Sequence, residues 1–394
     1  MKKYSVNLFN LPGYVVTSNF ACQDFLQFNV KSTSKSGTCP KCSRKTRTFY
    51  EIKTRKIRHT NWHDRPTFLI ISSRKFKCKC CKYRFWERFN GILPHNRSTQ
   101  NFKKQVAFEA LNGHDYKKVS CNYHLGQATV TRWVLAYADL EVKEKLSNVC
   151  PRVLGIDEHF FTRHKGYTTT ICDLVRRKVF DVVLGRSEVS LAGYFSSLQN
   201  KERAKIVVMD LSTTYKSIIK KYFPKALIVA DRFHVIRLVN HRFLETWKLL
   251  DPTGRQNRGL LSLFRRKQSN LSLFQELNLR QYLKSKDALL PLYDFKNEIY
   301  SLLMNKGVQK KQMRQIITKY FQIIKDLKDS GFTPLVSLAK TLESWHEEIL
   351  RMLRFSRSNA CTEGFHNKME RISRVAYGFR NFRNYRLRVL MQCA

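Results

Sequence analysis

Residues 150–240 switch repeatedly between two hydrophobic periods. Short apolar runs of strand length occupy 153–157, 167–173, 178–184, 205–210 and 226–231. Segments of helical spacing at 191–198 and 215–222 separate the later ones. The order is βββαβαβ. Three strands joined by hairpins, then parallel strands added through crossover helices, predict an α/β ribonuclease-H-like core. Upstream, Phe102, Val106, Ala110 and Leu111 share one helical face, and Gly113 is the expected stop. A second short helix is expected over 116–123, a turn at 124–126 and a third helix from Gln127 to Tyr137, with Val130, Val134 and Tyr137 on one side. Downstream, 240–350 reads as helical throughout. Residues 308–327 and 335–353 suggest an amphipathic antiparallel pair, with Trp345 and Phe321 in its core. The segment Asp251-Pro252-Thr253-Gly254 is the clearest turn signal there.

Charge narrows the function. The 394 residues carry 73 Lys and Arg against 30 Asp and Glu, a formal net charge of +43. A surface this basic repels itself unless a polyanion neutralises it, and nucleic acid does so through phosphate contacts and counterion release. No run of about 18 apolar residues occurs, so no transmembrane helix and no membrane partner are expected. Met1–Phe9 lacks the apolar centre of a signal peptide. The expectation is a cytoplasmic, nucleoid-associated protein.

The 11 cysteines are unevenly placed. Cys39-Pro-Lys-Cys42 is one CxxC knuckle, and Cys78-Lys-Cys-Cys81 supplies a second, with Cys80 as an alternative ligand. Two such pairs close a tetrahedral thiolate site for structural Zn²⁺; buried free thiols are the other reading. Between them, residues 67–72 are β-like and suggest an intervening hairpin. Across 31–104 only Glu51, Asp64 and Glu87 are acidic, and Phe76, Tyr83, Phe85, Trp86 and Phe89 interleave with the cations. The aromatics are expected to pack and the cations to meet phosphate. Residues 1–95 thus read as a zinc-ribbon DNA-binding domain. Residues 96–148 read as a helix-turn-helix domain, with Gln127, Thr129 and Arg132 facing a major groove; a plain helical bundle gives the same pattern.

Two apolar strands end in acids, Asp157 and Asp210. Strands one and four are neighbours in this topology, and ligands gather at strand ends of α/β sheets. The pair therefore suggests a site for Mg²⁺ or Mn²⁺, cations that favour oxygen ligands. Taken singly, each Asp reads equally well as a cap. Asp231 is either a third ligand or a helix cap that orients a neighbour, and the second role is the expectation. A helix capped by Ser358 or Asn359 and running to about Arg371 sets Glu363, Asn367 and Glu370 on one face.

The motifs Gly155-Ile-Asp-Glu-His-Phe160, Ala230-Asp-Arg-Phe-His-Val235, Ser358-Asn-Ala-Cys-Thr-Glu-Gly364 and Ala376-Tyr-Gly-Phe-Arg-Asn-Phe382 resemble bacterial insertion-sequence transposases of the ISL-three family. The resemblance covers nearly the whole chain. It implies an acidic triad of Asp157, Asp210 and Glu363, with Glu363 arriving after an all-helical insertion. The core is then 149–240, the insertion 241–350, and 351–394 the final catalytic helix and a basic tail, with Arg380 and Arg383 placed for DNA. Glu370 stands where relatives are expected to carry Lys. The implied activity is binding of terminal inverted repeats, then cleavage and strand transfer with two metal ions about 3.5–4 Å apart, by a homodimer or higher oligomer on transposon-end and target DNA. A catalytically inactive DNA-binding regulator is the main alternative, and a structure-specific nuclease such as a junction resolvase is the third.

Overall fold

The structure, a computed structural model, describes residues 13–62, 64–112, 115–145, 149–355 and 359–394. Met1–Phe9, Gly113 and Ser358, singled out above, lie outside these residues. Two compact units divide the chain: residues 1–141 with 374–378, and residues 142–373 with 379–394. Among the described residues no helix is long and apolar enough to cross a membrane.

The first unit is built on a sheet of β1 (Tyr14–Ala21), β2 (Leu26–Ser32), β5 (Phe49–Trp62), β6 (Arg65–Lys77) and β7 (Arg84–Trp86); a two-stranded ladder, β3 (Gly37–Thr38) with β4 (Lys45–Thr46), stands apart. The strand-like segment at 67–72 is the middle of β6, which forms a long antiparallel hairpin with β5. Along β6, Thr67, Leu69, Ile71 and Ser73 are buried while their neighbours are not, the two-residue period of a strand with one covered face. Leu69 and Ile71 join Tyr14, Val30, Ile57, Phe89 and Ile92 in one core. Three helices follow: α1 (Gln100–Leu111), α2 (Tyr116–Tyr123) and α3 (Gln127–Lys145). Thr99 caps α1 by accepting from the Phe102 amide at 3.3 Å, and Asp115 caps α2 through Lys118 at 2.5 Å. His124, at φ 53°, ends α2 in the left-handed conformation and starts the turn into α3. α3 runs eight residues beyond the expected end at Tyr137, because buried Ala138 and Val142 continue its apolar stripe.

The second unit contains a mixed sheet in the order β10-β9-β8-β11-β12: β8 (Val153–Thr162), β9 (Gly166–Asp173), β10 (Lys178–Leu184), β11 (Ile206–Met209) and β12 (Leu227–Ala230). β8, β9 and β10 pair antiparallel; β11 lies parallel to both β8 and β12. Helices α4 (Glu188–Ser197) and α5 (Thr213–Tyr222) make the crossovers, so the expected element order is present. β8 is longer than expected. Asp157 sits inside it rather than at its end, because the hairpin with β9 continues to Thr162.

α6 (Arg232–Leu250) leads into α7 (Pro252–Gln256), α8 (Arg258–Arg265), α9 (Leu273–Lys284), α10 (Leu289–Met304), α11 (Lys310–Asp329), α12 (Thr333–Ser344) and α13 (His346–Arg354). The turn expected at Asp251–Gly254 is the first turn of α7, where Asp251 accepts from the Gly254 amide at 3.0 Å. The segment 335–353 is two helices, not one, broken at Trp345. Trp345 is buried as expected, but Phe321 is 42% exposed, its ring against Tyr320 and His346. α14 (Ala360–Val375) and α15 (Phe382–Cys393) close the chain. Arg386 on α15 grips Asp181 on β10 through two hydrogen bonds of 2.6 and 2.7 Å, fastening the last helix to the sheet.

Candidate metal centres and functional site

The two CxxC segments fold as the same turn twice. The Ser43 amide donates to Cys39 O at 2.9 Å with Ser43 at φ 59°, and the Lys82 amide donates to Cys78 O at 3.1 Å with Lys82 also at φ 59°. Each turn points its cysteines inward. The Sγ atoms of Cys39, Cys42, Cys78 and Cys81 all lie within 4.8 Å of one another. Cys39 and Cys81 are 3.5 Å apart, as are Cys42 and Cys78. Bonds of about 2.3 Å in a tetrahedron set sulfur atoms about 3.8 Å apart, so the donor set fits Zn²⁺. Backbone amides, that of Cys81 first, pull the Cys78 thiol down to about 6, while hydrogen bonds to the neighbouring sulfurs raise Cys42 and Cys81, as expected of four thiols sharing protons in one cluster. Cys80, the alternative ligand, is exposed and outside the cluster of four. Phe76 and Phe85 stack beneath the site, and a Cβ at Gly37 would come within 2.7 Å of the Phe76 ring. Of the aromatics expected to pack, Tyr83 instead stands 47% exposed.

The acids are assembled by strand register. Val208 lies opposite Gly155, and Met209 opposite Ala230. Carried forward, these registers set Asp157, Asp210 and Asp231 side by side across β8, β11 and β12, strands about 4.8 Å apart. Asp157 and Asp231 are buried and Asp210 half-buried. Burial pushes the Asp157 carboxyl up to about 6, against the attraction of His234 and the Glu158 amide; repulsion from Asp210 and Asp231 adds to the rise. Asp210 and Asp231 are raised by burial in the same way, again opposed by His234.

Two histidines complete the cluster. His234, on the first turn of α6, places Nε2 3.9 Å from Asp157 Oδ1 and 3.7 Å from Asp231 Oδ2. His366 comes from α14; its Nδ1 lies 3.9 Å from Asp157 Oδ2 and its Nε2 3.1 Å from Thr170 Oγ1. Burial, with His159 and His234 adding to it, drives the His366 pKa down to about 3, so this ring is neutral near pH 7. The His159 ring packs 4.8 Å from it.

The start of α14 is fitted against the sheet. Asn359 is 2% exposed, and its backbone amide helps hold the Asp231 carboxylate. Its Oδ1 occupies the space a side chain at position 155 would need: a Cβ there would lie 2.3 Å from it. Glu363 sits exposed on the first turn of α14 and near enough to raise Asp231 electrostatically. Asn367 and Glu370 are exposed with it, and Glu370 acts on His159.

The carboxylates are suited to a cation. Among the described residues, Asp210 Oδ1 and Asp231 Oδ1 are buried without a hydrogen-bond partner, which is costly unless another group satisfies them. Oxygen donors in this number suit Mg²⁺ or Mn²⁺. Their spacing is wider than that of the cysteines, which are the only group of potential ligands closed to within 4.8 Å among the described residues. Asp157, Asp210 and Asp231 are thus brought together, with Glu363 at the edge. His234 and His366 were not singled out as site residues from the sequence. His234 had a signal, its place three residues after Asp231; His366 had only its helical spacing from Glu363.

The residues expected at DNA are placed as follows. Gln127 and Arg132 on α3 are exposed, and Thr129 is half-buried. Arg380 and Arg383, beside and within the first turn of α15, are exposed.

Comparison with known proteins agrees with both halves of the chain. Residues 35–81 match the model described as the zinc-finger of transposase IS204/IS1001/IS1096/IS1165. Residues 154–389 match the ISL3 model described as Transposase. The transposase for insertion sequence element IS1001 of Bordetella parapertussis is 25% identical over 377 residues, covering 92% of this chain and 90% of that protein. With more than half of its length matched by the family model, the chain belongs to the ISL3 family of transposases.

Proposed function

We propose that the protein binds the terminal inverted repeats of an insertion sequence and carries out metal-dependent cleavage and strand transfer of DNA. What carries the reading is the level row of Asp157, Asp210 and Asp231 with two orphaned carboxylate oxygens. The sheet order β10-β9-β8-β11-β12 supports a ribonuclease-H-like core, interrupted by a helical insertion over 241–350 and completed by 351–394. The α2-turn-α3 geometry supports a helix-turn-helix, with exposed Gln127 and Arg132 presented to a major groove and Thr129 beside them. Zinc at the four cysteines stabilises the knuckles of the first unit. Arg380 and Arg383 bind DNA phosphate. The working form is a homodimer or higher oligomer on the nucleoid, since two transposon ends must be held together.

Asp157, Asp210 and Glu363 hold Mg²⁺ or Mn²⁺ in this reading, and Asp231 is close enough to share the charge. Bound divalent metal supplies Lewis-acid stabilisation of the phosphate and of the leaving oxygen. His234 faces two of the carboxylates, and His366, tied to Thr170, stands as a neutral ring 3.9 Å from Asp157 Oδ2. Water first opens the phosphodiester and the 3′ oxygen leaves. The freed 3′-OH then attacks a target phosphodiester, forming a new P–O bond as the target 3′ oxygen leaves.

The test is cleavage of DNA bearing the element's ends with Mg²⁺ or Mn²⁺. Asp157→Ala, Asp210→Ala and Glu363→Ala are expected to abolish cleavage and keep end binding. Full cleavage by any of them defeats the assignment of that residue. End binding without nicking by the unaltered protein points instead to a DNA-binding regulator.

A further inference from the structure

A groove lies along the face of α6 that begins beside Asp231, and the carboxylate chemistry does not use it. Phe233, Arg237 and His241 follow at four-residue steps, so they share one side of the helix. Arg265, from the end of α8, also lines the groove. The cavity measures about 620 Å³. Ile236 and Leu244 contribute an apolar lining, while the other named residues but Phe233 are basic. Phe233 is 48% exposed and stands edge-on to His234, ring centres 5.5 Å apart. His234 is the side chain that faces Asp157 and Asp231. His234, which also lines the groove, therefore stands between it and the carboxylates.

The charges in the groove favour an anion. Among the described residues, Arg237 and Arg265 have no acidic partner, while His241 lies 3.5 Å from Glu245. An exposed aromatic, an apolar lining and unpaired guanidinium groups match the two halves of a nucleotide: a base stacks on the ring and phosphates meet the cations. A base inside a duplex cannot offer its face in this way. A cavity of this size also falls in the range of small-ligand sites, about 300–1,000 Å³.

We propose that this groove takes an unpaired nucleotide of the DNA strand beside the phosphate to be cut, its base stacked on Phe233 and its phosphates held by Arg237 and Arg265. The proposal rests on the DNA-cleavage reading above for the position of the strand. Opening the helix at the cut would then be stabilised by the same element that carries His234.

The experiment uses the full chain and two probes: a duplex bearing the element's end, and the same duplex with two unpaired nucleotides at the cut. Phe233→Ala is expected to weaken binding of the unpaired probe by about 5- to 150-fold, the range for loss of one base–aromatic stack. Binding of the intact duplex should change less than twofold, and Phe233→Trp should restore the difference. Arg237→Gln with Arg265→Gln should lower the salt dependence of unpaired-probe binding by about 1.4 in log–log slope, two phosphates at about 0.7 each. Equal loss on both probes, or none on the unpaired one, overturns the groove. So does stronger competition by an acidic, aromatic-rich peptide than by unpaired DNA, which would make the occupant a protein. If the unaltered protein cuts no DNA yet prefers the unpaired probe through Phe233, the cleavage reading fails and the groove stands. If it cuts normally and Phe233→Ala binds both probes unchanged, the groove alone fails.

Discussion

Lys296 on α10 is 1% exposed, yet it carries an amine. Its ammonium donates to the Phe264 carbonyl and lies 4.6 and 4.7 Å from the ring centres of Phe264 and Tyr293. Burial lowers its pKa from 10.5 to about 7. The unfolded chain holds this proton up to about pH 10.5 and the folded chain only to about pH 7. Between those values the unfolded state binds more protons, so the stability contribution of this group rises with pH. At about 1.36 kcal/mol for each pH unit, the shift corresponds to a cost of about 5 kcal/mol at neutral pH and below, recovered by pH 10.5. Lys296→Met keeps the length and apolar stem but removes the amine. It strands the Phe264 carbonyl, which costs about 1–3 kcal/mol. The net expectation is that Lys296→Met stabilises the second unit by about 2–4 kcal/mol at pH 7. That advantage should shrink steadily as the pH rises toward 10. Trp247 stacks on Phe264 at 4.8 Å, so its fluorescence reports this core during denaturant unfolding. A variant less stable than the parent at pH 7, or a difference that stays constant from pH 7 to 9.5, refutes the reasoning.

Chelating zinc, or Cys78→Ser, should release the knuckle amides of Ser43 and Lys82 to rapid hydrogen exchange while the amides of Leu69 and Ile71 stay protected; Cys80→Ser should change neither, and unchanged knuckle protection on chelation would count against the metal. Gly155→Ala drives a Cβ to 2.3 Å from Asn359 Oδ1 and 2.7 Å from Leu174 Cδ2, so it should cost about 1–3 kcal/mol in denaturant unfolding and lower cleavage by displacing the start of α14; parental stability would show that Asn359 yields freely. Arg232, buried beside Asp231, donates to the carbonyls of Leu303, Asn305 and Met352. Arg232→Met should therefore destabilise the unit by at least about 2 kcal/mol, measured by thermal unfolding, and an unchanged melting temperature would show that water replaces the guanidinium.

The strands and helices were largely legible because their apolar spacing is local. The four cysteines were legible for the same reason: each CxxC is a turn whose chemistry is complete within a few residues. Among the details that escaped, three share a physical cause in tertiary contacts. Asp157 looked like a strand end, because the apolar run stops there, but β8 is held onward by its hairpin with β9. Residues 335–353 kept one amphipathic rhythm across the break at Trp345, since a kink of one residue hardly alters the pattern. Phe321 is apolar on an amphipathic helix, yet it lies at the margin of the buried stripe.

From the sequence alone came the basic composition, the four cysteines that cluster, the order of strands and helices, and Asp157 and Asp210 as a pair. These depend on composition and near-neighbour spacing, which folding does not change. Which acids and bases meet was decided by tertiary structure. Asp231 stands at the N-cap position of α6, and only the parallel pairing of β11 and β12 brings it level with Asp210 as well. Placing His234 and His366 beside Asp157 required α6 and α14, separated by more than a hundred residues, to meet at the central strand of the sheet. Glu363, the residue that resemblance singled out, lies at the rim of that cluster, because α14 turns His366 rather than Glu363 toward Asp157. A local pattern cannot specify such meetings, since strand register and helix rotation are set by contacts between segments far apart in the chain.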